Sequence, residues 1–145
     1  MLALAADPVT LTGVEAELRE EAEILQVEAP EATWDLAEGT VVFSGGVLAN
    51  RGTLVLRCEQ LSVRLDASGG FQRATCDGPV EASRGSWWAT GGRAELEVGR
   101  GELVLEDGPR LGNGQHEMVG ERILFALDED RVDCSACRLA VDLSP

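Results

Sequence analysis

From residue 32 onward, polar and apolar positions alternate with a period of two. Thr33-Trp34-Asp35-Leu36 leads into the turn Ala37-Glu38-Gly39, and Thr40-Val41-Val42-Phe43-Ser44 runs back. Gly45-Gly46 breaks that run, and Leu54-Val55-Leu56-Arg57-Cys58 begins another. Short alternating runs bounded by Gly or Asp predict half-buried strands joined as hairpins. Upstream, Val14 to Val27 is rich in helix formers. Its apolar residues, Val14, Ala16, Leu18, Ala22 and Ile24, nevertheless alternate more regularly than they recur at three and four. This spacing predicts two strands around the acidic turn Arg19-Glu20-Glu21.

The alternation is itself repeated. Trp34-x-Leu36 returns as Val63-x-Leu65, Leu96-x-Val98 and Phe125-x-Leu127, at intervals of about 30 residues. Each pair is followed by a turn: Ala37–Gly39, Asp66–Gly70, Gly99–Gly101 or Asp128–Asp130. A second strand comes next, over Val41–Phe43, Phe71–Cys76, Glu102–Leu105 or Arg131–Cys134. Gly45-Gly46, Asp77-Gly78-Pro79 and Asp107-Gly108-Pro109 close the first three units. One such unit cannot bury its own apolar row, so units stack and share an interior. The first and last rows then remain as open sheet edges.

One parity of each strand points inward. The inward row predicted here is Trp34, Leu36, Val41, Phe43, Leu54, Leu56, Leu61, Val63, Leu65, Leu96, Val98, Leu103, Leu105, Ile123, Phe125 and Leu127. Alternation alone fits either a closed core or an open apolar groove.

The chain has 145 residues, a one-domain length. At 44% hydrophobic it has the material for a core, and at 4% aromatic that core is built from Val, Leu and Ala. The 26 acids outnumber the 12 bases, all of them Arg, for a net charge of −14. Such a surface repels phosphate backbones and anionic lipid headgroups, which disfavours nucleic acid and membrane-surface partners. At the start, Ala3-Leu4-Ala5 has the small-x-small form of a signal-peptidase site. Residues 1–6 therefore read as a signal-peptide remnant or a disordered terminus, and 7–145 as one domain.

Cys58, Cys76, Cys134 and Cys137 are an even number of cysteines. In an exported chain they are possible disulfide partners, with three connectivities open, or buried free thiols. Cys58 and Cys76 flank one predicted hairpin and could meet. Cys134-Ser135-Ala136-Cys137 is a C-x-x-C, but the helix of a thioredoxin-type site does not follow it. A Cys₄ zinc site needs a second close pair, which Cys58 and Cys76 do not form, so no metal is expected. His116 is the only histidine and reads as a surface residue in a turn-like run. Without a second histidine or a nucleophile–base pair, catalysis has no residue set, and no cofactor is implied. Trp87 and Trp88 are adjacent and must face opposite ways in a strand. One packs inward, and the other is a candidate contact for a partner or a sugar.

Gly39–Leu65 resembles the opening of the OstA-like (LptA-type) family of lipopolysaccharide-transport proteins. The pieces that carry the likeness are Phe43-Ser44-Gly45-Gly46-Val47, Gly52-Thr53-Leu54-Val55-Leu56 and Leu61–Asp66. Ala94–Val98 through Leu103–Pro109 repeats the motif, and Gly120-Glu121-Arg122-Ile123-Leu124-Phe125 is similar to a later strand of the family. The resemblance implies an all-β fold, an incomplete twisted β-jellyroll of stacked antiparallel hairpins, open at both ends. It implies that the inward row is a groove for the acyl chains of lipopolysaccharide. It further implies a periplasmic bridge that carries lipopolysaccharide from the inner to the outer membrane without catalysis. Its partners would be the lipid, further copies stacked head to tail, and sister β-jellyroll domains. The inner-membrane-anchored component shares this fold and is an alternative. A β-solenoid or carbohydrate-binding module with a solid core is the alternative from another class.

Overall fold

The computed structural model describes residues 8–20, 23–65, 71–97 and 100–143. Alternating β-branched and aliphatic residues make strands throughout. In order they are β1 (Val9–Glu20), β2 (Glu23–Asp35), β3 (Thr40–Arg51), β4 (Leu54–Leu65), β5 (Phe71–Arg84) and β6 (Trp87–Glu97). Then come β7 (Glu102–Glu106), β8 (Arg110–Gly112), β9 (His116–Val119), β10 (Arg122–Ala126), β11 (Arg131–Ser135) and β12 (Arg138–Val141). The helix-forming composition of 14–27 yields to alternation: both flanks are strand, with Ala16 opposite Val27 and Leu18 opposite Leu25. Of the predicted turn, Arg19 and Glu20 belong to β1. Glu21, the segment 66–70, Val98, Gly99 and the signal-like residues 1–6 lie outside the described residues.

All the strands join one antiparallel sheet in the order β1-β2-β3-β4-β5-β6-β7-β10-β11. β8 continues the line of β7 beside β6, β9 continues that of β10, and β12 that of β11. The last three rows are thus each broken in two. The earlier rows are unbroken but bent at the same level. Register shifts fall between Glu28 and Glu31, Ser44 and Val47, Arg57 and Gln60, and Asp77 and Val80.

At these β-bulge-like shifts the inward parity flips in β4, whereas in β3 and β5 a four-residue step carries the same parity across the bend. In β3, Val41 and Phe43 are buried before the bend, and Val47 and Ala49 after it. In β4 the buried residues are Leu56 and Cys58, then Leu61 and Val63. The bends line up as a corner running across the sheet, along which the sheet folds over on itself. Gly45-Gly46 and Asp77-Gly78-Pro79, predicted as strand ends, are bends inside continuous strands. Asp107-Gly108-Pro109 does separate two strands, β7 from β8. A Pro or Gly that gives up a ladder hydrogen bond serves a bend as readily as a turn.

The two halves face each other across a core containing Leu25, Phe43, Leu56, Leu105 and Ile123, all at most 2% exposed. Burying each such side chain stabilises the fold by roughly 1.5–3 kcal/mol. Arginines from the ends of β3 and β5 tie the halves together at their rims. The Arg51 guanidinium is buried and lies 3.7 Å from Asp128 in the β10–β11 turn. Arg84 donates to the Leu127 carbonyl oxygen at 2.6 Å and pairs with Asp130 at 3.1 Å. Among the described residues the sheet does not close: β1 pairs only with β2, β11 only with β10, and β12 only with β9.

Candidate lipid groove

Pleating aims one side chain in two at the space between the halves. Of the predicted inward row, Val41, Phe43, Leu54, Leu56, Leu61, Val63, Leu96, Leu103, Leu105, Ile123 and Leu127 are buried there together. Leu65 and Phe125 are half-buried and pack against that cluster. Trp34 opposes Val9 and Val41 and stands at the rim, 39% exposed. Leu36 does not belong to the row. The strand ends at Asp35, so Leu36 sits in the turn and is 52% exposed. Val98 lies outside the described residues.

Several inward residues were not legible as such: Leu25, Val27, Ala32, Val47, Val80 and Leu111. Val47, Val80 and Leu111 lie just past Gly45-Gly46, Asp77-Gly78-Pro79 and Asp107-Gly108-Pro109, which read as ends of the alternating runs. A signal does exist for Ala32, Val47, Val80 and Leu111, because each comes within two residues after a Gly or Pro; Leu25 and Val27 carry no such mark. Small residues, such as Ala49, Ala82, Ala89 and Ala94, also line the interior and keep the halves close.

The interior is filled in its middle and opens at the ends. At the β1 end a cavity of about 360 Å³ is lined by Leu11, Val14, Leu18, Trp34, Phe43 and Leu65, with Glu17 and Arg19 at its rim. Ligand pockets typically measure about 300–1,000 Å³. Farther along, beneath Trp87 and between Leu54, Leu103, Leu111 and Phe125, only about 20 Å³ is free, room for about one water. At the opposite end the inward residues are uncovered. Leu139 opposes Met118 and is 58% exposed, and Val141 opposes His116 and is 47% exposed. Outside, charge takes over: Arg93 lies 3.2–3.6 Å from Glu95, Glu106 and Asp77.

Cys134 and Cys137 form a disulfide across the break between β11 and β12. Cys58 and Cys76, candidates for a second bridge, are free buried thiols on neighbouring strands. Hydrogen bonding from the Cys76 thiol holds Cys58 below the usual thiol range against the opposing effect of burial. The same bond, with burial, pushes Cys76 up. No group of three or more His, Cys, Asp and Glu is placed to hold a metal among the described residues.

His116 is half-buried on β9, not a surface turn residue, and its Nδ1 has no hydrogen-bond partner among the described residues. Trp87 shares the inward parity of Ala89. Trp88 faces outward over Gly112, where a Cβ would stand 2.5 Å from the indole.

Residues 26–131 match the family described as "LptA/(LptD N-terminal domain) LPS transport protein". The chain belongs to this family. It is a family of transport proteins, not of enzymes. The fold is similar to the crystal structure of LptH from Pseudomonas aeruginosa, described as the LptA-homologous periplasmic component of the conserved lipopolysaccharide transport device. That likeness has a TM-score of 0.72 at 20% sequence identity, and covers 83% of this chain and 95% of that one. At that identity it speaks for the shared incomplete jellyroll. No curated protein matches the chain.

Proposed function

We propose that this protein is a periplasmic bridge that carries lipopolysaccharide from the inner toward the outer membrane, with the acyl chains held between the two half-sheets. The observation that carries the reading is an apolar interior whose ends are uncovered, the 360 Å³ cavity at the β1 end and bare Leu139 and Val141 at the other. An acyl chain in water costs about 0.8 kcal/mol for each CH₂ exposed. A lining of Leu, Val, Phe and Trp removes that cost, while the acidic exterior keeps the carrier in solution.

The filled middle means that passage requires the halves to part. The rim contacts of Arg51 and Arg84 are the ties that would yield. The unpaired backbones of β1 and of β11 with β12 are where further copies and sister domains would add strands.

The filled middle also favours a second reading, a binding module with a solid core whose ligand sits on the outside. Native mass spectrometry with lipid A separates the two, using the delipidated sugar as competitor. The bridge predicts saturable uptake that needs the acyl chains and ignores the sugar. Absence of uptake, or competition by the sugar alone, would favour the solid module.

A further inference from the structure

The C-x-x-C is absorbed neither by catalysis nor by the groove, and it lies on a free edge. We propose that the Cys134–Cys137 disulfide is a positioning device: it fixes the bend of the C-terminal edge strand, and so the shape on which β1 of a second copy docks. The proposal rests on the edge-to-edge reading above.

Every interior row is held at its corner by neighbours on both sides. The last row has one neighbour only, β10 and β9. Its bend also passes through Ala136, whose φ of +52° is a left-handed conformation that an L side chain resists. The disulfide spans that residue, with its Cα atoms 5.9 Å apart.

The bridge is seated on bare backbone. A Cβ at Gly120, in the neighbouring corner, would stand 2.7 Å from both sulfurs and 2.9 Å from the Ser135 carbonyl oxygen. Only a glycine leaves room there. Beside it, the Glu121 N–H donates to the Ser135 carbonyl at 3.0 Å. The last corner is thereby pinned to the one before it.

The opposite edge is built differently. β1 bends at Gly13, with φ +57° and nothing within 4 Å of a Cβ placed there. One edge is stapled and the other is compliant. For the sheet to continue from copy to copy, the corner must continue too, so the stapled edge is the template and the Gly13 edge conforms to it. The exposed inward residues Leu139 and Val141 then meet the β1-end cavity of the next copy.

The test is sedimentation equilibrium of the wild type, oxidised and in dithiothreitol, and of Cys134→Ser/Cys137→Ser under both conditions. Gly120→Ala, which keeps the cysteines but crowds their seat, is the second variant. Circular dichroism checks that each is folded. The reduced wild type and both variants should self-associate about tenfold more weakly than the oxidised wild type or worse, and the double variant should ignore reductant. Equal association in the oxidised and reduced wild type would overturn the staple and leave the edge reading intact. An oxidised wild type that stays monomeric at the highest concentration reached would overturn both.

Discussion

Gly78 shows how much the corner asks of one residue. Its φ is +88°, and a Cβ there would stand 2.8 Å from the Cβ of Glu59 on the adjacent strand. Gly78→Ala therefore meets backbone strain and a clash together, and is expected to destabilise the fold by about 1–3 kcal/mol. In urea unfolding this would appear as a lower midpoint with an unchanged slope; an unmoved midpoint would mean that the corner is soft. The residue was visible in the sequence as part of Asp77-Gly78-Pro79, but only as punctuation. Whether such a tripeptide ends a strand or bends it depends on whether the neighbouring strand resumes pairing beyond it. Here Val80 pairs with Gly91, so pairing resumes. Leu36 erred the other way. Its spacing from Trp34 fits the alternation, yet the backbone has already left the sheet.

The strands were legible as elements because alternation is a local signal, and the hairpin repeat because it recurs. Their length was not, since Gly45-Gly46 and Asp77-Gly78-Pro79 read as strand ends and hid the continuation of β3 and β5 with inward Val47 and Val80. The edges follow from the order of the strands, and β12 permits a sharp test. The Asp142 N–H donates to the Gln115 carbonyl. Antiparallel pairs alternate between hydrogen-bonded and non-bonded, so Leu139, three residues back and opposite Met118, turns its N–H toward the free side. Leu139→Pro removes a donor from the docking edge and none from the β9 ladder, a placement that sheets tolerate. Its thermal midpoint should stay near that of the wild type while head-to-tail association is lost. Association at wild-type strength would show that β12 is not a docking strand.

At the scale of the whole molecule, apolar residues lie within the fold and charge is on the outside. The sheet stays unclosed at both its first and last rows. The alternating rows predicted this division. The degree of filling was not predictable, because a row of Leu and Val reads alike whether it faces a partner side chain or a lipid. The family supplies the class of cargo, and a place between the half-sheets is the reading proposed for it. Position-specific photocrosslinking to lipid A tests this most directly, with the crosslinker placed at Phe43, which points inward, or at Asp77, on the charged outer face. A lipid carried between the half-sheets predicts adducts from position 43 and none from position 77. Adducts from position 77 alone, or equally from both, would contradict it.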